Sequence, residues 1–359
     1  MTDPTGIGGP VLVIGSGLIG ASVGLALRRA GVDVLLRDAD PDNLAVAVDA
    51  GAGRIAGPGD LPALVVVAVP PSLAGQVLAD ASAEFVDATL TDTTSVKESV
   101  LADAIARGAD PTRLVGGHPM AGREVSGAAG ARTDLLDDRL WVLTPLAESG
   151  IEHVRQAHRL VSACGAYPVE MGAREHDAAV ALVSHTPQVL ASVLAGQLLA
   201  SDPDRVRIAG QGLRDMTRIA GSNVGLWTDI LSANAGQVAA VLDEVVAALS
   251  RTADALRSGD GREGVAGMLA AGVEGQLLIP GKHGAAPSAY REVTVMLADR
   301  PGELGRLFAV ASEAEVSVED VRIEHVLGRP SGLVALFVRP EAGEDLVWAL
   351  TERGFDVRV

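Results

Sequence analysis

The sequence has few cysteines and few basic residues. Cys164 is the single cysteine among 359 residues, which excludes an internal disulfide framework. One cysteine with seven scattered histidines also argues against a structural zinc site, so we expect no metal. Acidic residues outnumber lysine and arginine by 46 to 29, a net charge of −17. This charge excludes a basic surface for nucleic acid, and anionic membranes would repel the protein.

The sequence shows no secretory signal. Met1 is followed by Thr-Asp-Pro, without the basic stretch and apolar run of a signal peptide, so we expect a cytoplasmic protein. Residues 178–201 contain no Asp, Glu, Lys or Arg and are long enough to span a bilayer. They include Ser184, His185 and Gln188, however, which favours a core or dimer helix over a membrane span.

The length predicts two to three domains, at about 150 residues per domain. Residues 10–172 alternate short β-branched runs with helix-length segments, which predicts a Rossmann-type α/β domain with a parallel sheet. Residues 173–282 show helical spacing only and predict an all-α domain. After a linker rich in Gly, Ala and Pro at 280–288, residues 289–359 predict a βαββαβ, ferredoxin-like domain.

The expected elements follow from the apolar runs. The strands predicted in the first domain are Val11–Ile14, Val32–Leu36, Leu64–Val69, Ala88–Asp92, Leu114–Gly116, Leu140–Leu143 and Tyr167–Val169. The elements predicted in the last domain are the strands Glu292–Leu297, Val318–Val326, Gly332–Val338 and Phe355–Val359 and the helices Leu304–Ala314 and Glu344–Glu352.

A glycine motif follows the first predicted strand. Gly15-Ser-Gly17-Leu18-Ile19-Gly20 has the form G-x-G-x-x-G and leads into a helix. Gly15 permits the tight turn, Gly17 lets the backbone approach a pyrophosphate, and Gly20 lets helix and strand pack closely. The exposed N–H groups and the dipole at the helix start favour phosphate. The motif in this context predicts a dinucleotide site that includes Leu18 and Ile19.

A carboxylate follows the second predicted strand. Asp38 lies about 20 residues after Gly15, where it would hold the hydroxyls of the adenosine ribose. It would repel a 2′-phosphate, so NAD is favoured over NADP, although Arg37 would accept such a phosphate if it turned inward. We expect Val69, at the end of the third predicted strand, to line the same site.

Polar residues follow the fourth and fifth predicted strands. Ser95 and Glu98 match the capping box Ser-x-x-Glu, which predicts a helix over 96–107, and the Ser95 hydroxyl would also reach a substrate at this edge of the sheet. Lys97 is one of two lysines in the chain, which suggests a specific role. His118 precedes a proline that holds the backbone extended, and imidazole suits proton transfer near neutral pH. On these grounds a structural and a catalytic His118 both remain open.

Several motifs, in this order along residues 10–280, resemble those of prephenate dehydrogenases. They are the glycine motif, Asp92–Lys97, His118-Pro-Met-Ala-Gly, Ser184-His185-Thr-Pro and Thr217-Arg218-Ile-Ala-Gly-Ser222, which Trp227 follows. The resemblance implies an enzyme that oxidatively decarboxylates prephenate to 4-hydroxyphenylpyruvate with NAD, in tyrosine biosynthesis, with residues 173–282 as its substrate and dimerisation domain. We expect a homodimer, because an interface can bury the apolar helical region that one subunit leaves exposed. Leu297–Leu304 resembles the first turn of an ACT domain, an amino-acid-sensing module.

The resemblance also implies roles at the reacting carbon. His118 would take the proton of the ring hydroxyl as hydride leaves the same carbon, and Ser95 would hold that hydroxyl and orient the imidazole. Loss of the carboxylate makes the ring aromatic, so the enzyme mainly has to align hydride, carbon and base.

Other residues would bind the rest of the substrate. Arg218 would bind a carboxylate through its planar guanidinium, and Arg214 lies one helical turn away. Asp215 and Glu124 are candidates to tether these arginines. The resemblance further implies a substrate-binding role for three residues of the uncharged segment: Ser184, His185 and Gln188.

Four alternatives concern the substrate, the enzyme class, the absence of turnover and the role of the C-terminal module. Family members often carry histidine where this sequence has Gln188, so arogenate competes with prephenate as substrate. The β-hydroxyacid dehydrogenases rely on a lysine of the helical domain. No lysine occurs between Lys97 and Lys282, which argues against this enzyme class. A protein that only senses NAD and an amino acid, without turnover, would not need Ser95, His118 and Arg218. Their presence argues against such a sensor. For the C-terminal module we expect tyrosine or another aromatic amino acid as effector near Asp299–Leu304, with a purely dimerising role as the alternative.

Overall fold

A computed structural model describes residues 5–122, 127–258, 261–279, 290–325 and 331–358. The contacts within the chain divide it into two compact units, one up to Val246 and the other from Ala247. Each unit is described by itself. The linker predicted at 280–288, as well as Glu124, lies outside the described residues.

The first unit is built on two connected sheets. Its strands are β1 (Val11–Ile14), β2 (Val34–Arg37), β3 (Arg54–Ile55), β4 (Leu64–Val67), β5 (Thr89–Asp92), β6 (Val115–Pro119), β7 (Leu140–Pro145) and β8 (Tyr167–Glu170). Five strands are parallel in the order β3-β2-β1-β4-β5, and three more follow in the order β6-β7-β8. A parallel bridge from Leu90 to Leu114 connects the two sheets, so β6 runs in the direction of β5.

The sheet differs from the prediction in two places. β3 was not expected, because its two residues are exposed and form no apolar run. The prediction of a wholly parallel sheet is wrong for β6 and β7, which pair antiparallel with His118 opposite Val142. A parallel crossover needs about a dozen residues and usually a helix, whereas the described residues between these strands form only a short 3-10 turn at Ala128–Gly130.

Helices cover the sheet and continue beyond it. The helices that begin in the first unit are α1 (Leu18–Arg29), α2 (Pro41–Asp49), α3 (Pro71–Glu84), α4 (Glu98–Ala106), α5 (Ile151–Ala163), α6 (Ala173–Val180), α7 (Thr186–Gln197), α8 (Pro203–Val206), α9 (Gln211–Thr217), α10 (Val224–Ala233) and α11 (Ala235–Arg257). Together with α12 (Arg262–Gln276), these helices account for the described part of 173–282, which contains no strand and is all-α as predicted. Both faces of the parallel sheet are buried, Val13 on one and Leu12 on the other.

The uncharged segment lies in one long helical stretch that contains a widened turn. Ala173–Ala200 is long and apolar enough to cross a membrane by length and composition alone. Its middle, Ala181–His185, is a π-helical turn. Pro187 has no N–H for the carbonyl four residues before it, and we attribute the wider turn to this residue. Such turns occur often at functional sites, and this one carries Ser184 and His185.

The second unit contains a small antiparallel sheet with two helices. Besides the end of α11 and the whole of α12, its elements are β9 (Arg291–Ala298), α13 (Glu303–Glu313), β10 (Val318–His325), β11 (Ser331–Val338), α14 (Gly343–Glu352) and β12 (Asp356–Arg358). The strand order is β10-β11-β9-β12, with every pair antiparallel. Val295, Leu307, Leu336 and Leu346 lie in its apolar core. The predicted order βαββαβ is therefore found.

Candidate active site

The glycine loop has the shape that a dinucleotide requires. Gly15 has φ +96°, and a Cβ there would lie 2.4 Å from the carbonyl oxygen of Ala68. A Cβ on Gly20 would lie 1.8 Å from the carbonyl oxygen of Gly15. A Cβ on Gly17, by contrast, would meet nothing within 4 Å, so the space above this residue is open to a ligand. α1 begins at Leu18, next to this opening, with its N–H groups available to phosphate.

The residues around the loop fit NAD. Asp38 accepts hydrogen bonds from the backbone N and Oγ of Ser16, at 2.5 and 2.7 Å, and from the backbone N of Asp40 at 2.8 Å. Its carboxylate therefore lies against the loop, and carboxylate oxygens can accept further bonds from a ribose. Arg37 forms a bidentate pair with Glu84 at 2.7 and 2.8 Å, which holds it away from a 2′-phosphate. Val69 lies beside Gly15, and Leu18 and Ile19 pack against the core.

A buried ion pair holds β6 at Gly117, the residue before His118. Lys97 and Asp92 are fully buried and paired through Nζ and Oδ2. Nζ also donates to Thr94 Oγ1 at 3.0 Å and to the carbonyl of Gly117 at 2.6 Å, so all three ammonium hydrogens are used. Asp92 Oδ1 accepts from the backbone N of Gly117 at 3.1 Å. The pair therefore binds both backbone groups of Gly117, and this explains the rare lysine.

The capping box predicted from Ser95 and Glu98 is wrong. The helix α4 begins at Glu98, and its first N–H groups are capped by a residue distant in sequence. Asp177 accepts from the backbone N of Lys97 and of Glu98, both at 2.8 Å. A carboxylate at a helix start is favoured by the helix dipole. Ser95 is left partly buried at the edge of the sheet where β5 ends.

His118 belongs to a chain of hydrogen bonds. Its Nδ1 lies 2.8 Å from Nε2 of His176, whose Nδ1 lies 2.8 Å from Oδ1 of Asp177. His118 is partly buried, while His176 and Asp177 are 1% and 2% exposed. The imidazole is therefore oriented by His176 from its Nδ1 side. Among the described residues, no hydrogen bond to Nε2 of His118 is found.

The surroundings of His118 keep it neutral. Burial is the main reason that its pKa lies well below 6.5, and the electrostatic interactions with His176, Lys97 and His185 lower that pKa further. A neutral imidazole at pH 7 is a base that is ready to accept a proton.

His185 is buried on the opposite side of the same cluster. Its Nδ1 lies 3.1 Å from Nδ2 of Asn234, which also donates to the carbonyl of Asp177 at 2.8 Å. Burial lowers the pKa of His185 to about 4. Because the Asn234 amide nitrogen only donates, Nδ1 of His185 accepts and its proton lies on Nε2. Trp227 packs against this ring edge to face, with the centroids 6.0 Å apart.

The remaining predicted residues lie on the helical side. Arg214 on α9 and Arg218, just after it in a 3-10 turn, are both exposed. Asp215 accepts a hydrogen bond from Gln211 at 2.7 Å. Gln188 is buried, and its amide nitrogen donates to the carbonyl of Ile219 at 3.0 Å. Gln188 thus connects α7 to the segment that carries Arg218. Ser184 is partly buried in the π-helical turn.

Three residues of the cluster were not predicted. His176, Asp177 and Asn234 are buried polar side chains that connect His118, α4 and His185. One signal was present in the sequence, because the His-Asp pair stands immediately before the long uncharged segment. Buried polar groups need partners, so this pair was a candidate for the site. Asn234 gives no comparable signal.

Together these features define an NAD-dependent oxidoreductase: a glycine loop at a helix start, a carboxylate beside it and a neutral histidine at the same sheet edge. Comparison with family models narrows the class. Residues 23–170 match the model of the prephenate dehydrogenase nucleotide-binding domain, and residues 172–270 match that of the prephenate dehydrogenase dimerization domain. The chain belongs to the prephenate dehydrogenase family, which confirms the resemblance found in the sequence.

Individual relatives agree with the family. The probable prephenate dehydrogenase NovF of Streptomyces niveus is 35% identical over 95% of this chain and 97% of its own length. The crystal structure of prephenate dehydrogenase from A. aeolicus with hydroxyphenyl propionate and NAD+ has a TM-score of 0.69 and 27% identity, over 75% of this chain and 97% of that one. Synechocystis arogenate dehydrogenase shares the fold, with a TM-score of 0.64 and 24% identity, over 74% of this chain and 98% of that one.

The glycine loop generates the first prediction. Gly17→Ala should leave the melting temperature nearly unchanged, because its Cβ meets no protein atom, but should raise the KM for NAD about tenfold or more by obstructing the pyrophosphate. Gly20→Ala should lower the stability by about 1–3 kcal/mol, since its Cβ overlaps the carbonyl of Gly15. Thermal melts and NAD titrations measure both effects. An unchanged KM for NAD in Gly17→Ala would refute the assignment.

Proposed function

We propose that this enzyme converts prephenate to 4-hydroxyphenylpyruvate and carbon dioxide, with NAD as oxidant, in tyrosine biosynthesis. The observation that supports this most directly is the neutral His118 at the end of β6. The parallel direction of β1, β4, β5 and β6 brings their carboxyl ends to one edge, where the glycine loop, Val69, Ser95 and His118 all lie. The base and the cofactor loop therefore share one edge of the sheet.

The proposed chemistry needs a base and a carboxylate clamp from the protein. NAD, when bound, accepts hydride from the ring carbon that carries the hydroxyl. His118 Nε2 takes up the hydroxyl proton as that carbon is oxidised, with Ser95 beside the same hydroxyl. The bond between the ring and its carboxylate then breaks, and its electrons complete the aromatic ring. The product is a phenol, with a pKa near 10, so His118 returns the proton to the ring oxygen.

The helical side supplies substrate binding in this proposal. Arg218 binds a substrate carboxylate through its guanidinium fork, with Arg214 one turn before it on the same side. His185 donates from Nε2, where its proton lies, and Ser184 offers a hydroxyl nearby. Gln188 holds the Arg218 segment through Ile219. The positive charge of Arg218 attracts the dianionic substrate locally, against the net charge of −17.

Arogenate is the alternative substrate. It carries an amino acid side chain in place of the keto acid, so a few polar contacts decide between the two. The alternative rests on Gln188, which stands where family members often carry a histidine near the substrate side chain. The same base, clamp and cofactor would serve either substrate.

A direct assay decides the function and the substrate. NADH absorbance should rise with prephenate, and a larger kcat/KM with arogenate would establish the alternative. His118→Asn should lower kcat at least ~100-fold if His118 is the base. Because the pKa of His118 is depressed, kcat/KM should be constant from pH 8 to 6.5 and fall only at lower pH. No absorbance change with either substrate would refute the proposed dehydrogenase activity.

The carboxylate clamp generates a separate prediction. Arg218→Ala should raise the KM for prephenate about 10- to 100-fold, the effect of losing a hydrogen bond to a charged group, with a smaller change in Arg214→Ala. Arg207→Ala is the matched control, because Arg207 is exposed and pairs only with Asp204 on its own helical turn among the described residues. An Arg218→Ala variant with the KM of the control would contradict the clamp.

We also propose that the protein is a cytoplasmic homodimer. The helical region of the first unit exposes many large apolar side chains, namely Leu182, Val183, Val193, Leu194, Leu199, Ile208, Met216, Val224 and Leu226. A second copy would bury this surface. The match of residues 172–270 to a dimerization domain supports the same arrangement.

The C-terminal residues 289–359 are proposed to form an ACT domain that senses tyrosine or another aromatic amino acid. The turn before α13 borders a cavity of about 70 Å³ whose lining includes Leu297, Asp299, Arg300, Leu304, Ile323 and Val334. Ligand pockets are usually at least about 300 Å³. The cavity is therefore too small for an aromatic amino acid by itself, and we propose that a second copy of the chain supplies the remaining surface. Asp299 and Arg300 supply opposite charges for the amino and carboxylate groups of the effector.

Two glycines test the effector site. Gly302 (φ +92°) lies in the turn, and Gly354 (φ +77°) lies between α14 and β12; neither has a neighbour within 4 Å of a Cβ. Alanine strains the backbone equally at both, so both variants should lose similar stability, about 1 kcal/mol. Only Gly302→Ala should weaken inhibition by tyrosine, measured as the shift in half-inhibitory concentration. Equal inhibition of both variants would leave the domain a dimerising role.

A further inference from the structure

The hydrogen bonds that run from His118 through His176 to Asp177 end on buried side chains. The rings of His118 and His176 meet edge to face, with centroids 5.1 Å apart and planes at 75°. The His176 side chain is hydrogen-bonded only to His118 and Asp177 among the described residues. Because His176 and Asp177 are almost fully buried, water does not compete for their hydrogen bonds. The side chain of His176 therefore makes no other hydrogen bond in the described part of the chain.

The donors and acceptors of this chain can be assigned in sequence. Asp177 accepts from the backbone N of Lys97 at Oδ1 and from the backbone N of Glu98 at Oδ2, so it is an ionised acceptor. His176 Nδ1 must then donate to Asp177, so that with one ring proton His176 keeps a lone pair on Nε2. His118 Nδ1 must donate to that lone pair. The proton of neutral His118 is thereby placed on Nδ1, and Nε2 is free to act as a base.

We propose that His176 and Asp177 are positioning residues that select the Nδ1–H tautomer of His118 and stabilise its imidazolium form during the reaction. This inference rests on the proposed function for its kinetic consequences, although the tautomer itself does not depend on the substrate. When Nε2 takes the substrate hydroxyl proton, His118 becomes cationic. The carboxylate of Asp177, two hydrogen bonds away, compensates that charge in a buried setting where such interactions are strong.

The charged groups around His118 agree with this arrangement. The charge of Lys97, which lowers the pKa of His118, is partly offset by its own pair with Asp92. His185 is neutral, with its pKa lowered to about 4. Asp177 is therefore the carboxylate that compensates an imidazolium on His118, and it acts through His176. Because the overall reaction releases no proton, a closed chain without an exit to solvent is sufficient, and His118 gives the proton back to the product.

The test compares two replacements of His176. Leucine removes the acceptor, whereas the amide oxygen of glutamine can accept from His118 Nδ1. His176→Leu should lower kcat about 100-fold with little change in the KM for prephenate, since His176 does not touch substrate. His176→Gln should recover most of that loss. His158→Leu is the matched control, because His158 is only partly buried on α5 and pairs with Glu170, outside the hydrogen bonds that include His118.

Nitrogen NMR of 15N-histidine-labelled protein tests the tautomer directly. The wild-type protein should show His118 as Nδ1–H, and His176→Leu should lose this state. An Nε2–H tautomer in the wild type would overturn the proposal even if His176→Leu failed to fold, as would equal kcat values for His176→Leu and His176→Gln. If no substrate is turned over but the tautomer changes as expected, the proposed function fails and the positioning by His176 stands.

Discussion

The carboxylate of Asp177 is the interaction on which the site depends. One oxygen accepts from Lys97 N and His176 Nδ1, the other accepts from Glu98 N, and the backbone carbonyl of Asp177 accepts from Asn234. The side chain thus caps α4 of the dinucleotide-binding region from a helix of the substrate region. A buried carboxylate is costly unless its hydrogen bonds are satisfied. Its bonds fix the two regions in one geometry, with His118 and His185 on either side.

The Lys97–Asp92 pair adds a second constraint on the same strand. Together the two side chains bind the N–H and the carbonyl of Gly117, the residue before His118. Gly117 has to be glycine, because a Cβ would lie 2.5 Å from the carbonyl oxygen of Asp92. The backbone of His118 is therefore set from one side by this pair, and its ring is set from the other side by His176. A base held in this way needs little reorganisation during the reaction.

The two neutral histidines carry their protons on different nitrogens. His118 has a free lone pair on Nε2, whereas His185 has its proton there, because their Nδ1 partners differ in kind: an acceptor on His176 and a donor on Asn234. One imidazole is therefore suited to accept a proton and the other to donate a hydrogen bond. Identical side chains acquire opposite roles from a single neighbour each.

The sequence by itself determined the local elements. The glycine motif, the apolar runs that form β1 and β4, and the order βαββαβ are short-range patterns, and each was found where it was predicted. Contacts between distant residues were decided by the tertiary structure alone. The antiparallel β7, the capping of α4 by Asp177 and the link from His118 to His176 join residues far apart in the chain, so periodicity and spacing contain no record of them. For the same reason His118 was recognised as a candidate base from its surroundings in sequence, whereas the nitrogen that acts as the base follows from a partner 58 residues away.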